Sequence, residues 1–350
     1  MKRLVTFGEV LMRLSAPRGQ HFAEARSFDT HVGGAEANVA TLLACLGWRT
    51  RLLTLIPTDG IGELALNKLE AAGVEVSHHC EAGLLGSYFH EYGTGTREAR
   101  IRYNRASSAF ARWYPTDVDW ADELAGADWL HLSGITPALS TEAARAQLEG
   151  MRAARALGVP VSFDVNYRPL LWNTDVAAEL LATCCALADV LFTNERDAAL
   201  LWGVEGTGED LARALAARFP NLRHVVVSLH AEAPTHEASR KVRPSFSASK
   251  PSPRAGEGDT VHRGAGELHE DEWHSSPIYA ALRADDIGAG DAQAAAWIHA
   301  VCAGWAPDAR VRFAAAAACM KMRIAGDALH ASEEDLLRMV EASGPVGGAA

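Results

Sequence analysis

No segment of this chain is apolar for long enough to span a bilayer. The basic start Met1-Lys2-Arg3 leads into an apolar run that Glu9 interrupts too early for a signal peptide. The six cysteines (Cys45, Cys80, Cys184, Cys185, Cys302, Cys319) form no CxxC pair and no metal-ligand spacing. Most sit in apolar surroundings, the setting of small buried hydrophobes in a reducing compartment. The expected location is therefore cytoplasmic. Positive charge is also short: 33 Lys and Arg against 44 Asp and Glu leave a formal net charge of -11. That balance argues against nucleic-acid and acidic-membrane partners, and any anionic substrate needs a local basic pocket. No GxGxxG follows the first strand, so a dinucleotide-binding oxidoreductase is a poor fit.

What is present is a globular composition, 48% hydrophobic over 350 residues, enough for one large α/β domain or two ordinary ones. Strand and helix patterns alternate: Leu4 to Phe7, then a helix from Ala35 to Leu46, a strand from Arg51 to Ile56 and a helix from Gly62 to Ala72. The alternation implies a mainly parallel sheet covered on both faces. It breaks at Ser87 to Tyr92 and Ala99 to Asn104, a hairpin around Gly93-Thr94-Gly95. With residues 12–32 this hairpin suits a small sheet beside the main body, in the position of a lid. Strands at Trp129 to Leu132, Val159 to Phe163, Val190 to Phe192 and His224 to Leu229 then interleave with helices, the first of them Ser140 to Leu157 with a serine N-cap. Three helices close the chain, Ala292 to Ala303, Asp308 to Ile324 and Ser332 to Glu341, and the tail from Gly344 is expected to fray. Ligands of open α/β sheets bind beyond the carboxyl ends of strands. Gly8-Glu9, Asp164 to Arg168 and Asn194 all fall at such ends and are expected to line one crevice.

From about Ala231 to Leu268 the chain is rich in Ser, Pro, Arg, His and Gly without period and reads as a disordered or loosely held insert. His236, His262, His269 and His274 match no metal spacing, and Gly264-Ala265-Gly266 is a GxG outside a strand–helix context.

The stretch Asp285-Asp286-Ile287-Gly288-Ala289-Gly290-Asp291-Ala292 carries the chemistry. An acidic, glycine-punctuated turn runs into an Ala-rich helix from Ala292 to Cys302. Glycines let backbone approach a ligand, and free N–H groups at a helix start face an incoming anion. Asp291 would repel a merely stored phosphate. It suits a base that deprotonates a hydroxyl attacking a phosphoryl group held there. On this stretch alone, a glycine-rich loop with an acid favouring the helix dipole accounts for it equally well.

Two separated runs, Gly33-Gly34-Ala35-Glu36-Ala37-Asn38-Val39-Ala40 and Gly288-Ala289-Gly290-Asp291-Ala292, together resemble the two signatures of the ribokinase-like (PfkB) carbohydrate kinases, in the same order. Tyr103-Asn104-Arg105-Ala106-Ser107-Ser108-Ala109, the run from His131 to Ser140 and Asp164-Val165-Asn166-Tyr167-Arg168 look like the 2-keto-3-deoxygluconate kinases. The resemblance implies a three-layer α/β/α fold with a mainly parallel sheet and a small β lid. It implies one kinase domain over residues 1–343, with the lid from about 10–32 and 86–106. The activity implied is ATP-dependent, Mg²⁺-assisted phosphorylation of 2-keto-3-deoxygluconate at its primary hydroxyl, with ATP and the sugar acid as small-molecule partners and room for a homo-oligomer through the lid.

Carried over by motif, Gly34, Asn38, Tyr88, Tyr103, Arg105, Ile135 and Arg168 would contact the sugar acid. Asp291 would be the base, with the N–H groups of the Gly288-Ala289-Gly290 turn and Asp291 as the anion hole, and Asn194, Ser228, Gly288 and Gly290 would meet ATP. Asp197 ends an Asn-x-x-Asp run where the family has Asn-x-x-Glu, a shorter carboxylate for organising the metal through water. The residue chemistry agrees, since two arginines offer forked donors to a carboxylate. Other readings stay open: Asn38 as a local hydrogen bond, the two tyrosines as lid packing, and the arginines paired with acids such as Asp164.

The pattern departs on the nucleotide side. The strand ending Ser228-Leu229-His230 enters the polar segment without the expected glycines, Gln293 replaces an aromatic, and Ala296 replaces a glycine. A buried Gln293 amide without a partner would cost about 1–3 kcal/mol. A fructokinase-like enzyme, or a non-catalytic sugar-binding homologue with a degraded ATP site, are the alternatives.

Overall fold

The computed structural model describes residues 1–78, 83–93, 99–113, 118–231 and 260–342. The chain opens with β1 (Arg3–Phe7), β2 (Leu11–Ser15), β3 (Asp29–Gly33), α1 (Ala35–Cys45), β4 (Arg49–Thr54), α2 (Gly60–Ala71) and β5 (Val74–His78). β6 (Gly86–Glu91), β7 (Arg100–Asn104), α3 (Trp120–Glu123), β8 (Trp129–Ser133), α4 (Thr141–Leu157), β9 (Val161–Asp164), α5 (Thr174–Cys185), β10 (Val190–Thr193), α6 (Glu195–Trp202) and α7 (Gly208–Arg218) follow. The last part holds β11 (His224–Ala231), β12 (Thr260–His269), β13 (Glu272–Ser275), β14 (Tyr279–Leu282), α8 (Ala289–Cys302), α9 (Pro307–Met322) and α10 (Glu333–Ala342).

A ten-stranded sheet runs β13-β12-β11-β10-β9-β8-β1-β4-β5, with β14 paired to β12. From β11 to β5 every pairing is parallel, and β12 turns back antiparallel on β11. Strand alternation splits the core between the two faces. On β1, Leu4 faces the layer built around α1, α8 and α9, while Val5 and Phe7 face the layer built around α4, α5 and α7. Local signals set the helix ends: the Ser140 hydroxyl accepts from Ala143 N–H at 3.1 Å, and Gly158 closes α4 in the left-handed region. No helix among the described residues is long and apolar enough to cross a membrane. The described cysteines Cys45, Cys184, Cys185, Cys302 and Cys319 are free thiols.

The segments read as a lid supply all four strands of a second sheet, ordered β3-β2-β6-β7. One buried arginine ties it to the main body. Arg13 of β2 is fully buried and reaches Asp285 at 2.7 Å and Asp327 at 2.9 Å. Its remaining donors meet Ser15 Oγ at 2.7 Å and His90 Nδ1 at 2.8 Å.

Two readings of the sequence need correction. The polar segment ending at Leu268 is not an insert throughout, because residues 260–268 lie in β12, and 232–259 fall outside the described residues. The strand was hidden because its apolar alternation is broken by the buried Glu267 and by Gly264 and Gly266. At Gly266 packing leaves no room for a side chain, since a Cβ would lie 2.1 Å from the Trp273 ring, and at Gly264 one would press on the end of the Ile278 side chain at 2.8 Å. The histidines of this stretch disperse, with His269 stacked on His224 at 4.0 Å and His274 meeting Asp308 at 3.0 Å, while His236 lies outside the described residues. Secondly, α8 starts at Ala289 rather than Ala292, with Gly288 as its N-cap at φ 84. Asp291 therefore belongs to the first helical turn, and in the turn before it Asp285 is buried on Arg13 while Asp286 is exposed.

Removing one partner of a buried ion pair strands the other charge. Arg13→Met should therefore cost about 3–5 kcal/mol. It should appear as a lower urea midpoint at unchanged m-value. A loss below about 1 kcal/mol, the range of an exposed pair, would show that the clamp does not hold the two sheets together.

Candidate active site

A cavity of about 660 Å³ lies beyond the carboxyl ends of β9, β10 and β11, roofed by the small sheet. Asp164, Asn166, Arg168 and Asn194 line it as strand-end residues, whereas Gly8 and Glu9 are not in its wall.

Asp291 sits in this wall at the start of α8 and is nearly inaccessible to water. Burial pushes its carboxyl up to about 7, against the hydrogen bond from Asn38 and the field of Arg168. The Asn38 amide, from α1, donates to Asp291 Oδ2 at 2.7 Å. At the same helix end the Ala289 N–H turns back to the Asp286 carbonyl at 3.3 Å. The N–H groups of Gly290 and Asp291 have no partner among the described residues. A carboxyl that titrates near neutrality thus stands beside two open donors at the positive end of a 14-residue helix. Gly288 is fixed by contact as well as conformation, because a Cβ there would lie 1.8 Å from the Asp327 carbonyl oxygen.

On the lid side the wall holds Gly34, Tyr88, Tyr103, Arg105 and Ile135. Gly34 has φ 146, and a Cβ there would meet the Glu9 carbonyl at 2.4 Å. Tyr88 and Tyr103 are cross-strand partners with rings 6.1 Å apart. The Tyr88 hydroxyl donates to Asp327 Oδ2 at 2.5 Å, and burial raises its pKa well above the usual phenol range. Arg105 is not an open fork. Its Nε lies 2.7 Å and Nη2 2.5 Å from Glu9 Oε2. Arg168 is exposed at the cavity wall and joins no ion pair among the described residues. Behind this side Glu36 accepts from Ser133 N–H at 3.1 Å and the Thr136 hydroxyl at 3.2 Å, and burial pushes its carboxyl above the usual range.

The opposite side carries Asn194, Asp197, Ser228, His230, Arg263 and Gln293. Asn194 caps α6 by accepting from Asp197 N–H at 2.9 Å, and Asp197 Oδ2 accepts from the Asn194 amide at 3.1 Å and Tyr167 N–H at 3.2 Å. One Asp197 oxygen is thus committed to structure. Burial raises the Asp197 carboxyl, and it raises that of Asp164 further, with Asp291 and Asp197 adding to the effect on Asp164. Among the described residues no three His, Cys, Asp or Glu converge to cage a metal. The oxygen of the buried Gln293 amide accepts from the Ser228 hydroxyl at 3.2 Å.

Every residue given a role from sequence, from Gly34 to Asp291, lies in this one wall. The structure adds Asp327 and Arg263 to it. No sequence signal marked Asp327, whose role comes from partners far away in the chain. Buried Lys321 backs the same corner, with Nζ 3.5 Å from the Asp285 carbonyl and 3.4 Å from that of Ile324.

The profile of the pfkB family carbohydrate kinases matches residues 1–233. A protein named 2-dehydro-3-deoxygalactonokinase from Haloferax volcanii is 29% identical over 340 residues, covering 96% of each chain. The structure of a PfkB family carbohydrate kinase from Listeria grayi superposes with a TM-score of 0.86 at 32% identity, covering 97% of this chain and 100% of that one. That of 2-dehydro-3-deoxygluconokinase from Thermotoga maritima gives 0.84 at 31% identity, covering 97% and 98%. With its ribokinase-like α/β sheet, its β lid and a carboxylate at the helix start, the chain belongs to the pfkB family of carbohydrate kinases.

Proposed function

We propose that this kinase transfers the γ-phosphoryl group of ATP to the primary hydroxyl of a 2-keto-3-deoxy sugar acid, of gluconate or galactonate configuration. The observation that carries the reading is the Asp291 carboxyl, with a pKa of about 7, beside the open N–H groups of Gly290 and Asp291 in a cavity whose wall includes Arg105 and Arg168. The relatives named for the two epimeric acids support the substrate class.

Asp291 takes the hydroxyl proton as the oxygen attacks. The N–H groups of Gly290 and Asp291 stabilise charge on the group in flight. Asn38 orients the carboxylate through its 2.7 Å hydrogen bond. Arg168 receives the acceptor's carboxylate, and Arg105, held by Glu9, fixes the wall beside Tyr103. The lid excludes water over the reacting groups. Mg²⁺ arriving with ATP would be held chiefly by phosphate oxygens and water, with Asp197 as the outer carboxylate, and would neutralise phosphate charge. That fits a site in which one Asp197 oxygen is already engaged.

In a coupled ADP-release assay, 2-keto-3-deoxygluconate or its galactonate epimer should outrun fructose, and Arg168→Ala should raise KM for the acid alone; preference for fructose would sink the substrate assignment. Asp291→Asn should lower kcat about 10²–10⁴-fold, and retention of most activity would remove the residue from the chemistry. Because the base must be ionised, kcat/KM should rise with pH through about 7. Losing the Asn38 donor, which holds that value down, should move the limb to higher pH in Asn38→Ala. A limb that stays put would deny the contact its role. The sign for stability is opposite. The folded-state pKa is raised, so the native state binds the extra proton and stability falls as pH rises from about 4 to about 7. Asp291→Asn should therefore melt higher than the parent above neutrality, and an equal or lower Tm there would contradict the burial cost.

A further inference from the structure

Among the described residues, the other arginines that are buried or half-buried are all committed, whereas exposed ones such as Arg168 need no partner. The buried Arg13, Arg105 and Arg310 each meet a carboxylate, from Asp285 and Asp327, from Glu9, and from Glu267. The half-buried Arg51 and Arg213 pair with Glu123 and Glu209, and Arg3 donates to main-chain carbonyls. Arg263 is the exception. It is half-buried, yet among the described residues no hydrogen bond or ion pair engages its guanidinium.

Its position explains what it could meet. Arg263 stands on β12 opposite His230 of β11 and Tyr279 of β14. Alternation along the strand places it on the face of Ala265 and Glu267, toward α8 and α9. At the carboxyl end of the sheet it enters the cavity wall beside Ser228, Gln293 and Gly288. An arginine stays charged in such a place; the field of Asp286 reaches it without an ion pair, and a partly desolvated charge so loosely compensated favours an arriving anion.

We propose that Arg263 binds the non-transferred phosphates of the nucleoside triphosphate. The inference rests on the kinase reading and adds to it a residue that neither the signatures nor the relatives' names point to. With the transferred group at Gly290 and Asp291, and the acceptor on the Asn38 and Tyr88 side, the remaining phosphates extend along the opposite wall. Arg263 lies there with forked donors suited to phosphate oxygens. His230, across the strand pair, is shifted toward its neutral form by partial desolvation and by the charge of Arg263. It adds no competing charge.

The test compares parent, Arg263→Gln and Arg263→Lys. In Arg263→Gln the KM for ATP should rise about tenfold or more, the loss of a charge-assisted hydrogen bond. KM for the sugar acid should stay within about twofold of the parent, and Arg263→Lys should recover part of the ATP effect. Calorimetry reads the same residue without turnover: ATP should bind Arg263→Gln more weakly by the same factor, while adenosine binds parent and variant alike. An ATP affinity unchanged in Arg263→Gln overturns the inference, as does an equal loss for adenosine, which would mean a disturbed fold rather than a missing phosphate contact. If the parent phosphorylates no sugar acid, the substrate reading falls, and the calorimetric comparison still decides Arg263.

Discussion

A carboxylate forced out of water at the start of a helix is the constraint on which the rest of this structure depends. Two forces oppose each other at Asp291. The positive end of α8 favours the ionised form, whereas burial favours the protonated one. Burial prevails by enough to bring the group to about 7, where it can both hold and release a proton at neutral pH. Asn38 keeps the balance from tipping further, and it comes from α1, a helix some 250 residues away in sequence. The packing of alanine-rich α8 against α1 therefore serves the site directly. Small side chains bring the two backbones close enough for an amide to reach the carboxylate.

The corner behind that helix start is equally constrained. Arg13 from the lid sheet bridges Asp285 and Asp327, Tyr88 from the same sheet donates to Asp327, and Asp285 also accepts from Gly326 N–H at 3.1 Å. Buried ion pairs seldom add net stability over an apolar core, but they penalise wrong registers heavily. Here the register concerned is that of the lid against the turn Asp285 to Gly288. Gly288 admits no side chain because the Asp327 carbonyl occupies the space, so this turn, the clamp and the open N–H groups of Gly290 and Asp291 form one unit. The position of the small sheet and the start of α8 are joined by contact.

Much of the fold was legible in the sequence because periodicity is local. Buried strands such as Val190–Thr193 and amphipathic helices such as Thr141–Leu157 announce themselves within their own residues. β12 did not, since Glu267 breaks its apolar pattern and is made tolerable only by His224, Arg310 and Trp297 brought from elsewhere. The same division applies to the site. Asp291, Gly34 and Arg168 stand in runs whose residue types carry their chemistry. Arg105 was read as an open fork because nothing near it in sequence reveals Glu9 as its partner. Asp327 and Arg263 carry no motif; their meaning lies in what faces them across the cavity. Gln293, whose burial without a partner would be costly, finds one for its amide oxygen in Ser228 of β11, a residue distant in sequence.

The most direct test of the central claim is the titration of the Asp291 carboxyl itself, read as the protonated-carboxyl infrared band that is present in the parent and absent from Asp291→Asn. This band should disappear with a midpoint of about 7. A band already lost in the ordinary carboxylate range, about 4, would show that Asp291 is well solvated and would contradict the account.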